Sequence, residues 1–359
     1  MDYKYTIVYR FEGISHNNLD EDKIVYQDDD LGITVVLTSD VNRHCLNIDR
    51  GLACASLLLR GMFGGEKIHE LPIAFDSEVT KIQEERLSKN KSGAYTVIMI
   101  NGQAELNIKE NLHRETDQFH VCFDAIDKES IRNKHKERIH AIVASLAMST
   151  SPEYHAERIA SGICFFDAND KPLYSYTFQG GRARLILAKP VGSEKETDIS
   201  KTISLSNANM QLKTPFRLLT QSLETTQDNL RAFVSAWSAL EILTNKVFPI
   251  YEEQFIAGIV DEHKSRGVNN FLERIKDVMK DKYRLTDKFS LVASFLSNEI
   301  TQDIELFKSM KKMRDNISHG IEFDEEALPV EDARKLASKY LKNHMLATEN
   351  TYRDRNAHH

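Results

Sequence analysis

A chain of 359 residues that is 41% hydrophobic and 28% charged can bury a sizeable core and has room for two domains. Its formal charge of -7 excludes a protein that coats nucleic acid through a uniformly basic surface, while leaving room for a local basic cleft. The cysteines, Cys45, Cys54, Cys122 and Cys164, include no CxxC pair and sit beside no histidines at zinc-ligand spacing, so they read as free, largely buried thiols of a reducing cytoplasm.

The N-terminus, MDYKYTIVYRFEG, has no basic-then-apolar signal region and reads as a strand. No apolar run approaches the roughly 18 residues of a membrane span, which predicts a cytoplasmic protein. Further strands are expected at Tyr3–Phe11, Ile33–Thr38, Tyr95–Ile100, Ala104–Ile108, His120–Phe123, Gly162–Phe166, Leu173–Phe178 and Ala183–Leu187. Asn101-Gly102, between Val97–Ile100 and Gln103–Leu106, has the chemistry of a two-residue hairpin turn. One helix, about Ser130–Met148, interrupts the strands, with Ile139, Ile142, Val143, Leu146 and Ala147 at helical spacing. His135 and His140 on it are five apart, the wrong spacing for chelation from successive turns, and read as surface residues.

Residues 191–213 are polar and aperiodic and read as a linker. Beyond Pro215 the pattern is helical, with helices expected over about 216–247, 251–264, 268–280, 286–297, 300–319 and 330–350, then a frayed tail over 352–359. The predicted class is α+β: a β-rich domain with one long helix over 1–190, then an all-α bundle over 214–351.

The segment LFKSMKKMRDNISHG carries the candidate chemistry. Ile304, Leu306, Phe307, Met310, Met313 and Ile317 make one broad apolar face, and Arg314 falls inside it. The helix around Trp237 has the complementary oddity, since Glu241 lies among Leu230, Phe233, Val234, Trp237 and Leu240. A cation and an anion on two buried faces predict a Glu241–Arg314 contact, and periodicity alone favours an ion pair that fixes helix register. His319 would lie roughly 140° around an unbroken helix from Arg314, but Gly320 is placed to end that helix.

Arg314-Asp315-Asn316-Ile317-Ser318-His319 resembles the R-x4-6-H motif of HEPN domains, and Ala236–Phe248 looks like the first helix of the ApeA-like branch of that superfamily. The resemblance covers roughly the last 140 residues and implies a helical ribonuclease domain that acts without metal or other cofactor. By that resemblance Arg314 binds the phosphate and His319 acts as general acid–base, while Asp315, Asn316 and Glu241 support them. Lys308, Lys311 and Lys312 would guide the RNA backbone. The expected products are a 2′,3′-cyclic phosphate and a 5′-OH. The family implies a homodimer through the helical domain, RNA (tRNA among the candidates) as substrate, and a phage-defence or toxin-type role. The β-rich part would sense a phage or cellular trigger. A second reading is a non-catalytic HEPN module that binds a nucleotide or a partner, and a third is a scaffold in which Glu241–Arg314 is only architecture. No HExxH sequence or phosphate-binding loop competes with these readings.

Overall fold

A computed structural model describes residues 2–11, 14–15, 22–63, 71–89, 95–104, 127–150, 155–166, 172–177, 189–190, 193–225, 228–263, 266–279 and 282–357. The chain is mixed α+β, with an antiparallel sheet in its N-terminal part and helices in its C-terminal part. It divides into two compact units, Met1–Ile139 with Ala156–Ser200, and His140–His155 with Lys201–His359.

Unit 1 is built on β1 (Asp2–Phe11), β3 (Lys23–Asp28), β4 (Ile33–Thr38), β5 (Tyr95–Gln103), β6 (Ala156–Phe166) and β7 (Pro172–Thr177). These strands form one antiparallel sheet in the order β3-β4-β5-β1-β6-β7, and β2 (Ile14–Ser15) pairs separately and in parallel with β8 (Lys189–Pro190). β1 is buried almost continuously because both of its faces are covered. On one face Val8, Val36 and Val97 pack with Cys45 and Ile48 of helix α1 (Asn42–Phe63). On the other, Tyr3 donates to or accepts from the His135 ring at 2.6 Å, on helix α3 (Lys128–Ser149). Arg10 is buried on β1 and forms an ion pair with Glu157, its cross-strand partner in the register.

Three features differ from the sequence expectations in this unit. α1 and α2 (Leu71–Lys89) are helices where no helix is predicted. Gly51, Asn47 and two cysteines hold down the helix propensity of α1, yet Val41, Cys45, Ile48 and Leu52 form a stripe against the sheet that outweighs it. α2 is tied on by Arg86, which donates to Asn42 at 2.9 Å and pairs with the fully buried Asp49. Asn101-Gly102 is not a turn: β5 runs through it, with Asn101 opposite Lys4 and Gly102 opposite Tyr3. Glycine is required there because a Cβ would sit 2.4 Å from the Tyr3 hydroxyl. His135 is buried rather than on the surface, its ring enclosed between helix and sheet. The predicted strands His120–Phe123 and Ala183–Leu187, and Ala104–Ile108 after its first residue, lie outside the described residues, as does Cys122; Cys45 and Cys164 are buried free thiols and Cys54 a partly exposed one.

The polar stretch that reads as a linker includes helix α4 (Ser193–Ala208), which runs from the last residues of unit 1 into unit 2 and whose Ile199, Ile203 and Leu205 are buried. Three apolar residues in a polar helix suffice to anchor it, a stripe too thin for composition to register. The helix predicted over 216–247 is interrupted: α5 (Lys213–Glu224) stops at extended Thr225, and α6 (Asn229–His263) restarts behind Asp228, whose carboxylate accepts from the Arg231 amide at 2.7 Å. α6 then continues through Pro249 as one helix, because proline removes one backbone bond that packing on both sides outweighs. α7 (Arg266–Met279), α8 (Leu285–Leu296), α9 (Ile300–Ser318) and α10 (Val330–Ala357) follow, so the helix reaches into the stretch expected to fray. An aromatic series crosses the bundle: Trp237 to Phe307 at 4.9 Å, Phe307 stacked on Phe289 at 4.0 Å, and Phe289 to Tyr340 at 4.8 Å. Among the described residues no helix is long and apolar enough to cross a membrane.

Replacing Gly102 with alanine is expected to lower stability by about 1–3 kcal/mol, the range for an overpacked interior site, measured by urea unfolding. A substitution that leaves the urea midpoint unchanged would contradict the close approach of Tyr3. A second expectation concerns His344, which is 2% exposed and bonded to Tyr251 at 2.9 Å. Burial lowers its pKa from 6.5 to about 4. The unfolded chain therefore takes up this proton first, and stability falls as pH drops from the ordinary value towards the folded one. His344→Gln should flatten the pH dependence of the urea midpoint across that window; an unchanged slope would show that the imidazole titrates normally.

Candidate active site

Helix α9 presents Phe307 and Met310 fully buried, and Arg314 one turn further along the same side. At that point the face emerges towards solvent, and the Arg314 side chain is 31% exposed. The guanidinium is therefore half-buried, not sunk in the core as a cation inside an apolar face would be.

Its contacts define a small charged cluster. The Nη2 group donates to both carboxylate oxygens of Glu241 on α6, each at 3.0 Å, and Nη1 donates to Asp315 at 3.0 Å. One nitrogen meets both Glu241 oxygens, so this is not the two-nitrogen fork of the strongest arginine–carboxylate pairs. Glu241 also accepts the Trp237 indole N–H at 2.9 Å, and the guanidinium carbon lies 5.9 Å from the Trp237 ring centroid. Asp315 is shared with Lys311, at 2.5 Å. Two acids and two bases cancel, and three carboxylate bonds leave the Nε–H and one Nη1–H of Arg314 unengaged among the described residues.

The end of α9 is set by backbone bonding. The Gly320 amide donates to the Ile317 carbonyl at 3.1 Å and the Ile321 amide to the Asn316 carbonyl at 3.0 Å, with Gly320 at φ +69. That is the Schellman arrangement, and it requires a residue free to adopt the left-handed region. His319 is the cap residue just before it, exposed, with φ -91 and ψ 4. Its imidazole makes no hydrogen bond or ion pair among the described residues, so it is not joined to Arg314 within one chain.

The sequence-predicted residues thus separate into two groups. Glu241, Arg314, Asp315 and Lys311 are bonded together; His319, Lys308 and Lys312 are exposed, and the half-buried Asn316 side chain bonds to none of them. Sequence reasoning missed that Trp237 shares Glu241 and that Lys311 occupies Asp315. Both are pairs four residues apart on one helix, so their spacing was the available signal. It also missed Asp303, on the same side of α9 and 5% exposed, bonded to Ser297 at 2.6 Å, Tyr340 at 2.9 Å and Lys339 at 2.9 Å. Among the described residues no three His, Cys, Asp or Glu side chains converge as metal ligands.

Comparison with known proteins returns no match: no family model, no curated protein and no solved structure.

A double-mutant cycle between Glu241→Gln and Arg314→Gln is expected to return a coupling of about 0.5–1 kcal/mol, the range for part-exposed ion pairs. Trp237 is the chain's single tryptophan, so its fluorescence during urea unfolding reports on this cluster directly. A coupling indistinguishable from zero would mean that the pair contributes nothing to α6–α9 packing.

Proposed function

We propose that unit 2 is a metal-independent endoribonuclease of the HEPN type, with Arg314 and His319 as its working residues. The observation that carries this reading is the half-exposed Arg314, held by a carboxylate from another helix while retaining N–H donors that are unengaged among the described residues, on the helix whose exit displays His319.

The chemistry follows from what those groups can do. A ribose 2′-OH is a weak nucleophile until a base takes its proton, and an unengaged imidazole at the surface can reach it. The oxygen attacks the adjacent phosphorus, negative charge grows on the non-bridging oxygens, and the guanidinium stabilises it without losing its own proton. The 5′ oxygen leaves with a proton, giving a 2′,3′-cyclic phosphate and a 5′-OH. Glu241 orients Arg314 from behind. Lys308 and Lys312, both exposed, follow the RNA backbone, whereas Lys311 is occupied by Asp315. Because His319 is not bonded to Arg314 in one chain, a homodimer that brings two motifs together fits the reading. Unit 1 then restrains or triggers the enzyme, in keeping with a phage-defence or toxin-type effector in the cytoplasm.

The alternative, a non-catalytic HEPN module, is favoured by one specific observation: Arg314 already spends three of its five N–H donors on Glu241 and Asp315. The two readings separate on His319→Ala. The wild-type chain should cut total RNA in the presence of EDTA and leave cyclic-phosphate ends. The variant should lose roughly a hundredfold or more of that rate with an unaltered melting temperature, since the imidazole is exposed and unbonded. Equal cleavage by both proteins, or none by either in extracts or on expression in cells, would transfer the assignment to the binding module.

A further inference from the structure

One line of side chains along α6 meets a new neighbour at each turn. Glu241, Asn245, Phe248 and Glu252 are four, three and four residues apart, so they share one side of the helix over about 16 Å. Arg314 of α9 bonds Glu241 at 3.0 Å. One turn on, the Asn245 side chain donates to the Glu241 carbonyl at 3.1 Å and accepts from Lys288 of α8 at 3.0 Å. The Lys288 ammonium also lies 5.7 Å from the centre of the Phe248 ring. Tyr283, just before α8, packs its ring 5.0 Å from that of Phe248, and its hydroxyl donates to Glu252.

The chemistry along this line alternates charge and ring. Arg314 and Lys288 are half-buried cations, and Lys288 uses one of its three N–H donors and makes no ion pair among the described residues. Exposed Asn245 holds the ammonium in place without neutralising it. The carboxylates at the two ends are both engaged, Glu241 by Arg314 and Trp237, and Glu252 by Tyr283. Asp287, beside Lys288 in the chain, accepts from the Arg284 amide at the start of α8, at 3.2 Å. Tyr283 is half-buried, with buried Phe248 supporting its ring. A tie between α6 and α8 would be met by any side chain that bonds Asn245. It gives no reason for an uncompensated cation next to a supported, accessible ring.

We infer that this line is a track for single-stranded RNA leaving the cleavage site. Lys288 takes a phosphate beyond the one at Arg314, and Tyr283 stacks a base. The strand is single because a base can reach Tyr283 only once it has left a duplex. At ~3.4 Å per stacked nucleotide, about 16 Å accommodates four or five of them. Asn245 is a positioning residue that acts through Lys288. The inference rests on the ribonuclease reading and extends its substrate contacts to residues outside the Arg314–His319 motif.

The test is fluorescence anisotropy of a short, labelled single-stranded RNA with the full chain carrying His319→Ala, which on that reading prevents cleavage. Adding Lys288→Gln should weaken binding about tenfold and make the slope of log affinity against log salt shallower by about 0.7, one phosphate contact on a single strand. Lys288→Arg should restore both. Tyr283→Leu should weaken binding by about fivefold to a hundredfold with the salt slope unchanged, while Tyr283→Phe binds normally. Melting temperatures of the Lys288→Arg and Tyr283→Phe chains check that the folded bundle is the species measured. Unchanged affinity and slope in Lys288→Gln would overturn the track, as would unchanged affinity in Tyr283→Leu. If Arg314→Gln weakens binding and those two variants do not, the track fails while the ribonuclease reading stands. A chain that neither binds nor cuts RNA removes both. Tighter binding of a duplex RNA, dependent on Lys288 but not on Tyr283, would also overturn the single-strand assignment.

Discussion

Helix α9 carries a charge at each end of the face it buries, and a different neighbouring helix meets each charge. Asp303, Phe307, Met310 and Arg314 fall four, three and four residues apart, along one side. At the first end Asp303 is inside the bundle, where a carboxylate is tolerated only if its oxygens are fully bonded. Ser297, Tyr340 and Lys339 provide those bonds, and Tyr340 is pushed to a high pKa by burial and then by Asp303. At the other end Arg314 engages Glu241. Between them Phe307 stacks on Phe289 and touches Trp237. The rotation and register of α9 are thereby fixed at two points, and the exit of the helix at His319 follows from both.

The same logic of paired interior charges holds unit 1 together. Asp49 and Arg86 join α1 to α2, and Arg10 and Glu157 join β1 to β6. Each pair consists of side chains that composition assigns to the surface. The stability such pairs add is small, since desolvation offsets most of the attraction, but removing one partner strands the other. Their effect is therefore on which elements dock and in what register, more than on how tightly.

What could be read in the sequence tracks the strength of local periodicity. α9 and the Glu241–Arg314 contact were legible because a charge inside a broad apolar stripe stands out against it. The strands β1, β4 and β5 were legible from β-branched and aromatic runs. α1 was not, because its stripe is diluted by glycine, asparagine and cysteine, and the sheet that stabilises it lies elsewhere in the chain. Asn101-Gly102 misled because turn chemistry is a local preference, whereas the need for glycine at 102 arises from a ring on the neighbouring strand. His135 misled for a related reason: chelation spacing is visible in one helix, but its partner Tyr3 is 132 residues away. Pro249 inside α6 is the converse case, a strong local signal overruled by packing. At the candidate site the ion pair was visible, and the sharing of Glu241 with Trp237 was signalled only by their four-residue spacing on one helix.

The identity of residue 314 is the point at which stability and chemistry give different answers. A leucine or methionine there would continue the Phe307–Met310 face, and apolar replacements of partly buried ion pairs are often neutral or stabilising. Arg314 is instead 31% exposed, and a pair at that exposure contributes about 1 kcal/mol or less. Stability thus gives little reason for an arginine with a dedicated carboxylate. Orientation gives a better one. A guanidinium already held by Glu241 and flanked by Trp237 has lost much of its rotamer freedom before any anion arrives, so less is lost when its remaining N–H groups engage a phosphate. Asp315 opposes this by occupying Nη1, and Lys311 in turn competes for Asp315. An incoming phosphate that drew Lys311 and Arg314 together would replace that carboxylate with a ligand of the same charge. On the proposed reading, an RNA phosphate in that place keeps both cations neutralised, and the displaced Asp315 carboxylate, 32% exposed, is met by water.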